Sequence, residues 1–203
     1  FFPSGSVVTA NQHIYAKMAY DPEKDFVPVT NVVSGPQVLV VNAASPYKSV
    51  KELIEGAKAN PGKFTFGHAG IGSQTHLAAE NFVNTAKINA VSVPYKGEGP
   101  SLIGIVGGET TFLVTNLAAA LSHISSGKQR ALGVASKTDA PHLTGITPIA
   151  QTVPGVKNTG WLRLVPPAWP PEQPDSNVNT QTDDQEESRP MRARLHPPSD
   201  ADD

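Results

Sequence analysis

The sequence predicts an α/β fold on a parallel sheet, and three observations carry that reading. Short apolar runs alternate with helix-like segments between residues 37 and 135, the order that builds strand–helix–strand units. The run Gln37-Val38-Leu39-Val40-Val41-Asn42 is apolar on both faces, as in a parallel strand buried between two helix layers. The stretch Lys63-Phe64-Thr65-Phe66-Gly67-His68-Ala69-Gly70-Ile71-Gly72-Ser73-Gln74-Thr75-His76-Leu77 reads as a strand entering a glycine loop that opens a helix. Phe64 and Phe66 share one face at the two-residue period of a strand. Gly70 and Gly72 permit backbone angles that residues with a Cβ resist. Ser73 is placed to cap a helix starting at Gln74, with Leu77, Glu80 and Phe82 carrying it to about Thr85.

The other elements follow in order. Phe1-Phe2-Pro3-Ser4-Gly5-Ser6-Val7-Val8 reads as a strand end and a polar turn, and residues 11–17 as a short helix broken at Tyr20-Asp21-Pro22. Ser49-Val50-Lys51-Glu52 has the spacing of a capping box, with Leu53, Ile54 and Ala57 behind it and Pro61-Gly62 as its stop. Residues 90–94 form a strand, residues 95–100 a turn, and residues 101–106 a helix closed by Gly107-Gly108. Residues 110–115 form a strand, residues 117–124 a helix that Asn116 can cap, and residues 130–135 a further strand.

In such sheets ligands sit beyond the carboxyl ends of strands, against helix N-termini. Two strand-to-helix turns present that geometry, one at Ala69, Gly70, Gly72, Ser73 and Gln74, the other at Thr115 and Asn116. A first helical turn has N–H groups without intrahelical partners and a partial positive charge, so it can hold an anion without Lys or Arg. A plain strand-to-helix connection explains the same residues, and capping explains Thr115 and Asn116 equally well. His76 on the same helix and Ser4 in the N-terminal turn complete the candidate ligand contacts.

Composition and motifs exclude several functions. The net charge of -2 and the absence of a basic cluster argue against nucleic acid as a partner. Without cysteine there is no disulfide, thiolate nucleophile or Cys-type zinc site. No apolar run approaches the roughly 20 residues of a membrane span, so direct membrane insertion is not expected. No Walker loop occurs, and Gly70, Gly72 and Thr75 lack the third glycine of a dinucleotide fingerprint. Glu98 lies further away than the usual ribose-binding acid and reads as a turn residue. Ser73 and His76 resemble a nucleophile and base only by type, since no acid is placed to orient the imidazole. His13, His68, His123 and His142 have no ligand-like spacing, so neither a metal site, a cofactor nor a catalytic residue is expected. From Gly160 onward nine acids face four arginines among eight prolines, and apolar side chains past Trp169 are too sparse to offset ordering. That tail is expected to be disordered.

Several motifs together resemble a known family. They are Tyr20-Asp21-Pro22-Glu23-Lys24-Asp25-Phe26-Val27-Pro28-Val29, Val38-Leu39-Val40-Val41-Asn42, Lys48-Ser49-Val50-Lys51-Glu52-Leu53, Ala69-Gly70-Ile71-Gly72-Ser73-Gln74-Thr75-His76-Leu77, Val93-Pro94-Tyr95-Lys96-Gly97, Gly107-Gly108, Ala120-Leu121-Ser122-His123-Ile124 with Gly127-Lys128, and Arg130-Ala131-Leu132-Gly133-Val134. In order and spacing, from about Asn11 to Trp161, they are similar to the substrate-binding proteins of tripartite tricarboxylate transporters, the Bug family of the bacterial periplasm. The resemblance implies a type II periplasmic-binding-protein fold, a Venus flytrap of two domains. It also implies a small carboxylate held by backbone amides, hydroxyls and waters, membrane transporter subunits as partners, and no catalysis. The loop at Ala69 matches the family's second-domain loop.

The departures are as specific as the match. Family members are longer and begin with a segment, missing before Phe1, that supplies half of the site. After Trp161 the sequence drifts from the family, as a shifted reading frame would produce; an intact genomic frame through this region would exclude that. Thr111 and Thr115 stand where the family carries aspartates. Residues 1–42 are therefore expected to be a remnant of the first domain, residues 43–158 a complete second α/β domain, and residues 159–203 a divergent tail. The function expected is periplasmic carboxylate binding, weak in this chain. The alternatives are a nucleotide-binding α/β enzyme, or a remnant without function.

Overall fold

The computed structural model describes residues 3–27, 29–136 and 145–164. The tail expectation therefore lies outside the described residues from 165 onward, and inside them only its first strand can be compared. The elements in order are α1 (Gly5–Thr9), α2 (Asn11–Ile14), β1 (Thr30–Asn42), α3 (Val50–Ala59), β2 (Phe64–His68), α4 (Gln74–Ala86), β3 (Ala90–Pro94), α5 (Glu98–Val106), β4 (Phe112–Asn116), α6 (Leu117–Ser125), β5 (Gln129–Val134) and β6 (Thr159–Leu164).

The sheet runs β3-β2-β4-β1-β5, with β6 paired to β1 off that path. β2 is parallel to β3 and β4, but β1 is antiparallel to β4, β5 and β6. The expectation of a parallel sheet is thus corrected to a mixed one. The reason is physical: Val38, Leu39, Val40 and Val41 are all fully buried, and an apolar run records burial on two faces rather than strand direction. Leu39 and Val41 pack with Leu53, Phe66, Ala79 and Phe82 under α3 and α4, whereas Val38 and Val40 pack with Leu102, Ile105, Leu117 and Ala120 under α5 and α6.

β1 has two halves. Thr30 to Pro36 pair with β6, and Gln37 to Asn42 lie between β4 and β5. Gln37 to Asn42 are therefore an interior strand of this sheet. Near the N-terminus, the expected strand end at Phe1-Phe2 lies outside the described residues, the expected polar turn is instead the start of α1, and α2 stops at Ile14 rather than Lys17. Val7, Val8 and Thr9 have weak helix propensity, and tertiary packing overrides it: a Cβ at Gly5 would strike the Trp161 ring and the Gln74 amide.

Helix signals held where they were local. Ser49 Oγ accepts the Glu52 amide at 3.2 Å, while Glu52 closes the box one residue early by accepting the Lys48 amide at 2.7 Å. α5 begins at Glu98 instead of Ser101, because Pro100 falls in the first turn, where a missing N–H costs nothing.

Candidate functional site

The chain leaves β2 toward α4 on one face of the sheet and leaves β4 toward α6 on the other. β2 and β4 are parallel neighbours, with Phe66 opposite Phe112 and Gly67 opposite Leu113. The gap beyond their carboxyl ends is a topological switch point, the position at which α/β sheets open a crevice. Both sequence-derived turns meet there.

The first wall is the loop into α4. Ser73 Oγ accepts the His76 amide at 3.2 Å, so the expected N-cap is present. Gly70 and Gly72 have φ of 120° and 76°, which a side chain would strain. The loop's own amides are held from below. Ala69 N–H donates to Thr75 Oγ1 at 2.9 Å, Gly70 N–H to His68 Nδ1 at 3.2 Å, and Gly72 N–H to His76 Nδ1 at 3.3 Å. His68 Nε2 lies 2.8 Å from Ser92 Oγ. Among the described residues, no acceptor meets the amides of Ile71, Gln74 and Thr75. They are the open donors of the helix start.

The two imidazoles stand 4.3 Å apart between ring centres. His68 is fully buried; burial holds its pKa below the usual histidine value, and His76 acts in the same direction. Accepting an N–H at Nδ1 requires that nitrogen to be unprotonated, so the geometry also favours neutral imidazole. His76 Nδ1 faces the loop amide rather than Ser73 Oγ, and Nε2 faces Glu80 at 3.7 Å. No nucleophile–base pair is formed by these two residues.

The second wall is the start of α6, and here the sequence reading is corrected. Asn116 makes no side-chain cap. Instead Glu98, the first residue of α5, reaches across. Its Oε1 accepts from Thr115 Oγ1 at 2.5 Å, the Asn116 amide at 2.7 Å and Asn116 Nδ2 at 3.0 Å, and its Oε2 accepts from Asn116 Nδ2 at 2.9 Å. The sequence places Glu98 in a turn, too far along for a ribose-binding acid. A pair 18 residues apart in different elements leaves no periodic signal; only the order β3-β2-β4, which brings α5 over the sheet, joins them.

The remaining candidates link the walls. Gln74 Nε2 donates to the Trp161 carbonyl at 3.0 Å, and Asn116 Oδ1 crowds Gly160, so both turns touch β6. Ser4 Oγ lies 3.0 Å from Ser6 Oγ and Ser4 bridges to Leu162, which sets the α1 start beside Gln74. Tyr15 Oη donates to the Ile71 carbonyl at 2.7 Å. Sequence reasoning also missed Gln37, which is 1% exposed, has no partner for Nε2 among the described residues and stands opposite Asn116 in register. Tyr95 beside the loop is pushed up to about 12, by burial first and then by its bond to Glu109, so its phenol stays protonated. Among the described residues no group of three or more His, Asp or Glu is placed to hold a metal, and no helix is long and apolar enough to cross a membrane.

This arrangement meets known proteins. Residues 3–188 match the family model described as "Tripartite tricarboxylate transporter family receptor", further at both ends than the motifs between Asn11 and Trp161. BugT of Bordetella pertussis is 31% identical over 165 residues, covering 81% of this chain and 51% of its own length. A Pseudomonas protein of the tcbD-tcbE intergenic region is 30% identical over 176 residues, covering 86% and 52%. Among solved structures, R. palustris Rpa4515 with adipate superposes with a TM-score of 0.81 at 29% identity, over 88% of this chain and 59% of that one. The periplasmic binding protein BugD superposes with a TM-score of 0.79 at 26% identity, over 84% and 57%. The chain thus spans about half the length of the curated relatives it matches.

Proposed function

Because this chain belongs to the tripartite tricarboxylate transporter receptor family, we propose that it binds a small carboxylate at the switch point, as the periplasmic receptor of a secondary transporter and without catalysis. The observation that carries the reading is the start of α4. Among the described residues, the main-chain amides of Ile71, Gln74 and Thr75 have no acceptor; Gln74 and Thr75 open a 13-residue helix at its positive end, and Ile71 lies in the loop before it. Backbone donors and a helix dipole suit a carboxylate. The loop is held rigid by Thr75, His68 and His76, so little ordering is required on binding. The ligand contacts proposed are Ala69, Gly70, Gly72, Ser73, Gln74 and His76 along this wall, Thr115 and Asn116 through the opposite wall, and Ser4 at the edge. In this reading the Gln74 amide, with its neighbours Ile71 and Thr75, contacts the carboxylate directly, and the remaining residues set their position. The neighbour crystallised with adipate supports the ligand class. Transporter subunits in the membrane are the partners the family implies. Residues Gln37 to Asn158 are the ligand-binding unit in this reading, and the preceding residues belong to the unit facing it.

Thermal denaturation with a panel of small carboxylates, ATP and NAD tests the proposal. Stabilisation by one or more carboxylates at millimolar concentration, without stabilisation by nucleotides, is expected. Stabilisation by nucleotides alone would overturn it in favour of an α/β enzyme that uses the same helix start for phosphate.

A further inference from the structure

We infer that Glu98 is a specificity-determining residue that fills the second anion position of the crevice with the protein's own carboxylate, so that the site selects against a ligand with a carboxylate at both ends. The inference rests on the reading of the crevice as a carboxylate site. Its basis is how Glu98 is held. A hydroxyl, a backbone N–H at a helix start and a side-chain amide all converge on one carboxylate, which is the donor set a bound anion would receive there. Thr115 is 1% exposed, so its hydroxyl has no alternative partner in water. The donors are neutral, and they hold the carboxylate without cancelling its charge.

The two walls therefore differ in sign. The α4 start offers unfilled donors, and the α6 start offers a negative charge. A Cβ at Gly160 would meet both Asn116 Oδ1 and Gln74 Oε1, so the two helix starts lie close together beside β6. A ligand carboxylate on the α4 amides leaves its other end toward Glu98. A second carboxylate there meets a like charge, and the Thr115 and Asn116 donors are already taken by Glu98, whereas an ammonium meets an acceptor. The neighbour crystallised with adipate, a dicarboxylate, makes the difference measurable. Gln37 Nε2, buried opposite Asn116 and without a partner among the described residues, adds an unfilled neutral donor near this end.

The experiment uses the full chain at neutral pH with three six-carbon probes: adipate, hexanoate and the corresponding ω-amino acid. Calorimetric titration of the wild type is expected to rank the ω-amino acid first and adipate last, apart by about tenfold or more. In Glu98→Gln, which keeps the side-chain shape, the ranking is expected to collapse, mainly through a gain for adipate. An unchanged ranking in Glu98→Gln would overturn the inference and leave carboxylate binding intact. A second arm does not depend on the α4 wall. In Glu98→Ala the α6 donors are left unfilled, and sodium acetate is expected to raise the melting temperature of this variant more than that of the wild type, with sodium chloride as the ionic-strength control. If no six-carbon acid binds any variant, the carboxylate-receptor reading fails, and this arm alone decides the inference: acetate rescue supports it, and equal responses of variant and wild type overturn it.

Discussion

The turns at the starts of α4 and α6 arise in the same way and end in opposite states. Each follows a buried strand, each begins a helix on its own face of the sheet, and each presents first-turn amides to one crevice. At α4 the protein supplies its own cap, Ser73, and braces the loop with His68, His76 and Thr75, yet leaves the Ile71, Gln74 and Thr75 amides without acceptors. At α6 the residue in the cap position does not cap, and Glu98 occupies the donors. A helix start is therefore a site or a structural joint according to whether another part of the chain reaches it. Its own sequence does not decide which.

The two turns share a foundation, and removing it is expected to have the largest effect. Phe112 is fully buried, stacks on Phe66 at 5.8 Å and meets Phe82 edge-on at 5.7 Å. Phe112→Ala is expected to cost about 3–5 kcal/mol and to loosen both walls together, as read by denaturant unfolding and by amide exchange at Gly70 and Asn116. Loss of protection at one wall alone would show that the walls are not supported in common. The next effect separates them. Asn116→Ala removes two of the bonds that hold Glu98 and is expected to cost about 1–3 kcal/mol, with protection lost at the α6 start while the α4 start keeps it.

The histidine brace gives the α4 wall a pH dependence. Burial lowers the His68 pKa in the folded chain below the usual 6.5. As pH falls through about 6.5 the unfolded chain takes up the proton first, so stability is full above that value and declines below it. His68→Asn, which retains an acceptor near the Nδ1 position, is expected to flatten the decline in a series of melts at descending pH. A decline as steep as that of the wild type would assign it to other groups. The smallest effect concerns the cap: Ser73→Ala is expected to cost about 1 kcal/mol, measured by thermal unfolding, because the α4 start loses one partner while the brace remains.

What the residues disclosed in advance follows the range of each interaction. The unit Phe64–His68, its glycines and the Ser73 cap were legible because a two-residue period, two glycines and a serine three residues before His76 all act within one turn of chain. The resemblance carried by the same segment, with its neighbours, was equally legible. The direction of β1 was not, since two-sided burial of Val38, Leu39, Val40 and Val41 makes the same pattern in either direction. α1 was missed because Val7, Val8 and Thr9 favour extended backbone in isolation, and contacts of Gly5 with Trp161 reverse that preference. Glu98 was missed for a different reason. Its position before Pro100 suggests a turn, and its partners Thr115 and Asn116 belong to a strand end that only the sheet order brings near.

The most direct test of the carboxylate wall is a titration of the isotopically labelled full chain with hexanoate, followed through backbone amide resonances. The amides of Ile71, Gln74 and Thr75 are expected to shift together and saturably, and by more than those of Asn116 and Leu117. Saturable shifts centred on Asn116 with residues 69–76 unmoved, or no saturable shift at either wall, would contradict the account.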